Sequence, residues 1–235
     1  MKSFCLCSAA LATVLLVAPS DAGASVITAS IGNTSSPFVN GSTVLPATFT
    51  AQQTGPAPFN AFCGSDTGAA GSTNCDASWT FSFVIPVGEA VTGGSVTFGI
   101  NDIDSAATGN QVGLFSLNGG DILTASLNAM AEGLNLGAGS INREYDEFTL
   151  FLTAASLVQL NLGSATFHLV LQAPGLGVLP GGTASNSGAL LFSTLLLQTE
   201  TIPGGGPTVP EPATLLLLAS GLGAALRSRM QRKRA

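Results

Sequence analysis

Charge is what this sequence has least of. Only 9% of its 235 residues are charged, against about a quarter in an ordinary soluble domain. That scarcity excludes a charge-rich disordered tail and a coiled coil, which both need charged positions in quantity. Basic side chains are scarcer still, because Arg143 is the only one between residues 25 and 209. Lys2 precedes that stretch, and Arg227, Arg229, Arg232, Lys233 and Arg234 follow it. The same stretch carries eleven acids and so a formal charge of −10. Such a field repels phosphate backbones, which excludes nucleic acid as a partner. The chain is 46% hydrophobic, and a domain of roughly 150 residues already buries about 70% of its unfolded surface, so the stretch can hold one real core.

The two ends read as targeting segments. Residues 1–24 have the build of a signal peptide: Lys2, an apolar run from Phe4 to Val17, and Ala22-Gly23-Ala24 where signal peptidase requires small residues. Cleavage is expected after Ala24, which removes Cys5 and Cys7. At the other end, Pro210-Glu211-Pro212 is followed by the uncharged, mostly apolar Ala213 to Leu226 and then by a basic tail to residue 235. Two prolines hold the motif extended, as a protease groove prefers. The apolar segment 213–226 is expected to insert as a transmembrane helix, with the basic cluster on the cytoplasmic side. At about 1.5 Å per residue it covers about 21 Å of a hydrocarbon core near 30 Å thick, so arginine snorkelling and bilayer thinning must supply the remainder.

This order of Pro-Glu-Pro, apolar helix with a Ser220-Gly221 notch, and arginine-rich end resembles the PEP-CTERM sorting signal. The resemblance covers about residues 209–235 and is silent on the fold before it. It implies a bacterial surface pathway in which a membrane-embedded exosortase recognises Pro210, Glu211 and Pro212 and releases the protein outward. It also implies a host that makes exopolysaccharide. On that basis the precursor is anchored in the inner membrane, and the product resides on the cell surface or outside the cell.

Between the ends, period-two alternation recurs. Trp79, Phe81, Phe83 and Ile85 share one face of a strand, and Val96, Phe98 and Ile100 share one face of the next. Val112 to Leu117 and Ile122 to Leu127 flank Asn118-Gly119-Gly120, a hairpin signal. Phe148 to Leu152, Ala165 to Gln172 and Leu190 to Gln198 supply further strands, the last apolar on both faces and so central. Only Thr153 to Leu160 invites a helix. The expected fold is all-β, an antiparallel β-sandwich of jelly-roll type over residues 25–200. Within it, residues 25–60 form an edge hairpin or a loosely packed arm, with Val26-Ile27-Thr28 and Thr48-Phe49-Thr50 as strands. Residues 201–209 make a Gly/Pro linker.

Cys63 and Cys75 survive signal removal and enclose a small, polar, glycine-containing loop. In an exported chain that spacing points to one disulfide. Asp102 and Asp104 follow a strand, and if the strand persists both carboxylates project from one face, an arrangement suited to calcium. No other cofactor is implied. Asn142 to Glu147 groups charges around Tyr145, either as a solvated loop or as a carbohydrate contact. Catalysis fails on inventory: His168 is the one histidine, no G-x-S-x-G elbow accompanies it, and no phosphate-binding loop is present. The expectation is a noncatalytic structural or adhesive protein associated with exopolysaccharide. The alternatives are a carbohydrate-binding module and a two-carboxylate glycoside hydrolase.

Overall fold

A computed structural model describes residues 24–65, 70–103, 109–134, 143–176 and 180–202. The signal peptide, Asp104, the linker from 203 onward, and the sorting segment with its expected helix 213–226 lie outside the described residues. The compact unit spans Gly23–Thr201.

Two antiparallel sheets face each other, as the alternation requires. The first has the order β1-β9-β4-β7-β2 and the second β3-β8-β5-β6. Their strands are β1 (Ser25–Gly32), β2 (Ser42–Thr43), β3 (Asp76–Ser82), β4 (Glu89–Asn101), β5 (Val112–Leu117), β6 (Asp121–Ile122), β7 (Glu144–Phe151), β8 (Ser164–Leu171) and β9 (Ala189–Thr201). β9 lies between β1 and β4, which fits its apolar residues on both faces. The inward residues of both sheets make a largely aromatic core. Trp79 on β3 stacks on Phe115 and Phe167 of its own sheet, with ring centroids 6.2 and 5.8 Å away, and meets Phe98 of the facing sheet at 6.3 Å. β3 ends at Ser82, so Phe83 and Ile85 continue the alternation only as half-buried loop residues.

Helices appear where strands were expected in two places. Ile122 to Leu127 supplies only Ile122 to the two-residue β6, and the chain then turns into α2 (Thr124–Leu134). The reason lies in the spacing: Leu123, Leu127 and Ala131 recur every four residues, and all three are buried. Asn128 of α2 docks on β5 by accepting from Val112 N and donating to Val112 O, each at 2.9 Å. Thr48-Phe49-Thr50 belongs to α1 (Pro46–Thr50), where Pro46 occupies the first turn without sacrificing a hydrogen bond. The expected helix near Thr153 is present as α3 (Ala154–Leu160), capped by the Thr153 side chain. The hairpin at Asn118-Gly119 is also present, both residues taking positive φ, 51° and 67°.

β1 forms the edge of the first sheet, but it does not make a hairpin with the segment after it, because β2 pairs with β7. The segment from Asn33 to Phe62 crosses the outer face of the first sheet and builds a second core there. Phe49 and Tyr145 are fully buried in it, with Phe38 5.5 Å from both rings. Gly99 makes room for Tyr145, since a Cβ at that position would overlap the phenol oxygen and lie 2.8 Å from the Phe192 ring.

Cys63 and Cys75 are joined, with Cα atoms 4.7 Å apart. The bonded pair is tied to the β8–β9 connection, because Cys63 N donates to Gly188 O and Cys75 N to Asn186 O. The crosslink closes a loop of sequence separation 12, so its removal by Cys63→Ala with Cys75→Ala should lower the unfolding free energy by about 3 kcal/mol. Urea unfolding of the double variant and of reduced wild type should show the same loss. Non-reducing peptide mapping should recover the two cysteines in one linked fragment.

Candidate functional site

Strand register places a row of hydroxyls across the outer face of the first sheet. Ser30 pairs with Thr194, Thr194 with Thr97, and Thr97 with Thr149. Two of these contacts are hydrogen bonds, Ser30 Oγ to Thr194 Oγ1 at 2.9 Å and Thr97 Oγ1 to Thr149 Oγ1 at 2.8 Å. The adjoining row is Thr28, Leu196, Ser95 and Phe151. Phe151 is 82% exposed, an unusual position for a phenylalanine. Beside it, Thr92 to Ser95, Leu152, Leu157, Leu196 and Gln198 line a shallow groove of about 260 Å³. No residue in either row is charged. The second sheet repeats the pattern outward with Ser78, Thr80 and Ser82 opposite His168, Thr166 and Ser164, and Thr80 Oγ1 lies 2.9 Å from Thr166 Oγ1. Sequence reasoning missed these rows. The signal was available as Ser and Thr at every second strand position, but only register shows that they align across strands.

His168 stands on that second face, as its alternation indicates, and its Nε2 lies 2.8 Å from Asp76 Oδ1. Ser78 and Ser116 are opposite it on the two neighbouring strands. Serine, histidine and aspartate thus share one patch, yet among the described residues neither hydroxyl is hydrogen-bonded to the imidazole. Ser116 is buried, while Asp76 and Ser78 are exposed and His168 is half-buried.

Asp102, one of the two residues expected to hold calcium, does not continue a strand. β4 ends at Asn101, and Asp102 turns to φ 68°. Asp102 Oδ1 accepts from Arg143 N at 2.8 Å, and Asn101 Nδ2 donates to Arg143 O at 2.8 Å, so the two side chains lock the turn that enters β7. Asp104 lies outside the described residues. Among those described, no three His, Cys, Asp or Glu side chains converge as a metal group.

The charged run around Tyr145 is neither a loop nor an aromatic platform, because residues 144 to 147 open β7. Tyr145 is fully buried and donates to Glu147 Oε1 at 2.8 Å. Burial, and then this bond, push its phenol well above the ordinary range. Asp146 faces the other way, opposite Ile100, with no exposed surface. Neither of its oxygens has a hydrogen-bond partner. Burial pushes its carboxyl up to about 6, and the neighbouring Glu144 adds to the rise. Burial also raises Glu144. These two acids influence each other across one residue of β7, but Asp146 has no exposed surface for a substrate to reach.

Residues 208–233 match the family of the PEP-CTERM protein-sorting motif. The match contains Pro210, Glu211 and Pro212 and marks an exported protein processed by an exosortase. No curated protein matches the chain. Among the described residues, no helix is long and apolar enough to cross a membrane.

Asp146 gives the domain a definite pH response. Its folded pKa lies above the ordinary carboxylate value, so between about pH 4 and 6 the folded state holds a proton that the unfolded state has released. Its contribution is therefore most favourable below that window and is lost as pH rises through it. Asp146→Asn should leave stability near pH 4 almost unchanged and raise it at pH 7 by about 1–3 kcal/mol. Thermal melts of both proteins from pH 3.5 to 7.5 check this, the variant showing the shallower decline.

Proposed function

We propose that the exported domain is a noncatalytic adhesive or structural component of the extracellular matrix, and that it lies on neutral polysaccharide through the uncharged hydroxyl rows of its first sheet. The observation that carries this reading is the hydroxyl row Ser30-Thr194-Thr97-Thr149 with exposed Phe151 beside it. Each hydroxyl contact with a sugar is worth little net, because it replaces a contact with water. A flat row meeting a long polymer makes many such contacts at once, and the linked contacts add avidity. Phe151 supplies an apolar ring face against which a sugar ring stacks. The charge of −10 on residues 25–209 disfavours acidic polymers.

The strand order supports a jelly-roll reading of the fold. Without the two-residue β2, the sheets run β1-β9-β4-β7 and β3-β8-β5-β6, each following the alternation of two Greek keys. Export, membrane attachment through residues 213–226 and release by the exosortase complete the proposed route. The linker from Ile202 to Val209 holds the domain clear of the bilayer until the cut. A carbohydrate-binding module is the second reading, favoured by the groove beside Phe151.

Two outcomes are expected. The exported domain is retained on insoluble neutral polysaccharide more than on an acidic one, and Phe151→Ala together with Thr97→Lys and Thr149→Lys weakens retention about tenfold or more. Saturable binding of a short oligosaccharide would favour the module instead, and release of reducing sugar would overturn the noncatalytic reading. In the producing host, Glu211→Ala leaves a full-length precursor in the membrane fraction, while wild type is recovered shorter and outside it. Normal processing of the variant would sink the sorting step.

A further inference from the structure

At the pole where β1 begins, Glu89 has an unusual setting. It opens β4 and is half-buried, and its carboxylate accepts from the hydroxyls of Ser25 and Thr199, the first at 3.1 Å. Thr199 is fully buried opposite Ser25 in the β1–β9 ladder, and its hydroxyl also reaches Ser25 O at 3.3 Å. Among the described residues, no lysine or arginine pairs with Glu89. Arg143 stands next to Glu144, at the other end of β4, where Asn101 pairs with Tyr145. A half-buried carboxylate solvated only by hydroxyls therefore waits beside the first residue of the folded domain.

We propose that Glu89 and Thr199 form a receptor for the α-ammonium group that removal of residues 1–24 creates on Ser25. The proposal rests on export with cleavage after Ala24. Hydrolysis of the Ala24–Ser25 bond consumes one water and leaves a carboxylate on Ala24 and an amine on Ser25, which is protonated at neutral pH. The nitrogen and hydroxyl oxygen of one serine are three bonds apart, so this ammonium forms within about 7 Å of Glu89 Oε1 even before it moves. Cutting the chain frees it from residue 24 and lets it close on the carboxylate. Between residues 25 and 209 the only other permanent cation is Arg143. Processing thus gives Glu89 its counter-ion and fastens β1, an edge strand, at its open end.

The absence of lysine between residues 25 and 209 makes the test selective. Exported protein is first sequenced from its N-terminus, and a first residue other than Ser25 overturns the proposal without touching the sorting reading, which Glu211→Ala tests separately. The amine is then reductively dimethylated with isotope-labelled formaldehyde and a borohydride donor, which keeps its positive charge, and its methyl signal is titrated by NMR. Any retained Lys233 gives a second signal in the lysine range, about 10.4. The Ser25 signal should titrate about one pH unit higher in the folded protein than in the same protein in urea. Glu89→Gln should abolish the difference, and Ser25→Ala should preserve it, because the pairing needs the backbone nitrogen and not the hydroxyl. Equal midpoints in folded and unfolded wild type overturn the proposal even if Glu89→Gln fails to fold. A raised folded pKa means that the contribution is complete below about pH 8 and lost above it. Wild type should therefore lose more melting temperature than Glu89→Gln between pH 7 and 10, and parallel losses would count against the pairing.

Discussion

The contact of Trp79 with both sheets is the constraint on which the sandwich rests. Its ring lies against Phe115 and Phe167 on one side and against Phe98 and Phe59 on the other. A single indole thus sets the spacing between two layers whose other inward side chains are mostly phenylalanine, leucine and isoleucine. Its Nε1 has no partner, a cost of about 1–3 kcal/mol that the surrounding aromatic burial offsets. Because the large rings are gathered inside, the outward positions of the long strands are left to serine and threonine. The uncharged hydroxyl rows are in that sense a product of the core.

The strands were legible because each has one buried face, and a face buried on one side writes period two into the chain. β3, β4 and β8 follow directly from that rule, whereas β9 was legible as a run apolar on both faces. Reading failed where the local pattern was four-fold but short, as at Leu123, Leu127 and Ala131 of α2, next to a genuine hairpin signal that suggested more strand. It failed again at Tyr145 and Asp146, where consecutive polar residues suggest a solvated loop. There the chain segment from Asn33 to Phe62 covers the outer side of β7 at its start, so Tyr145 and Asp146 are buried on opposite faces, while Glu147, Thr149 and Phe151 farther along stay exposed. Coverage by a segment distant in sequence leaves no mark in the residues it covers. The hydroxyl rows were hidden for a related reason, since alignment across strands depends on register, and single-strand periodicity carries no register.

The distribution of charge separates the two tasks of the polypeptide. Cations crowd the ends and are almost missing from the domain that is exported. Acids remain in that domain, and several are answered by hydroxyls and backbone amides, as at Asp102 and Glu89. A protein built in this way depends little on ionic strength for its fold, because few of its bonds are between ions.

The side-by-side position of Ser25 and Thr199 also decides how the domain bears mechanical load. β9 is clasped on one side by β1 and on the other by β4, along nearly its whole length. A pull entering at Thr201 and resisted by the sheet faces runs parallel to β9 and strains the rungs of both ladders together, as in shear. A pull that separates Thr201 from Ser25 would open the β1–β9 ladder one rung at a time, like a zipper. A load applied at Thr201 takes the first route, and β9, the strand it enters, is gripped on both sides.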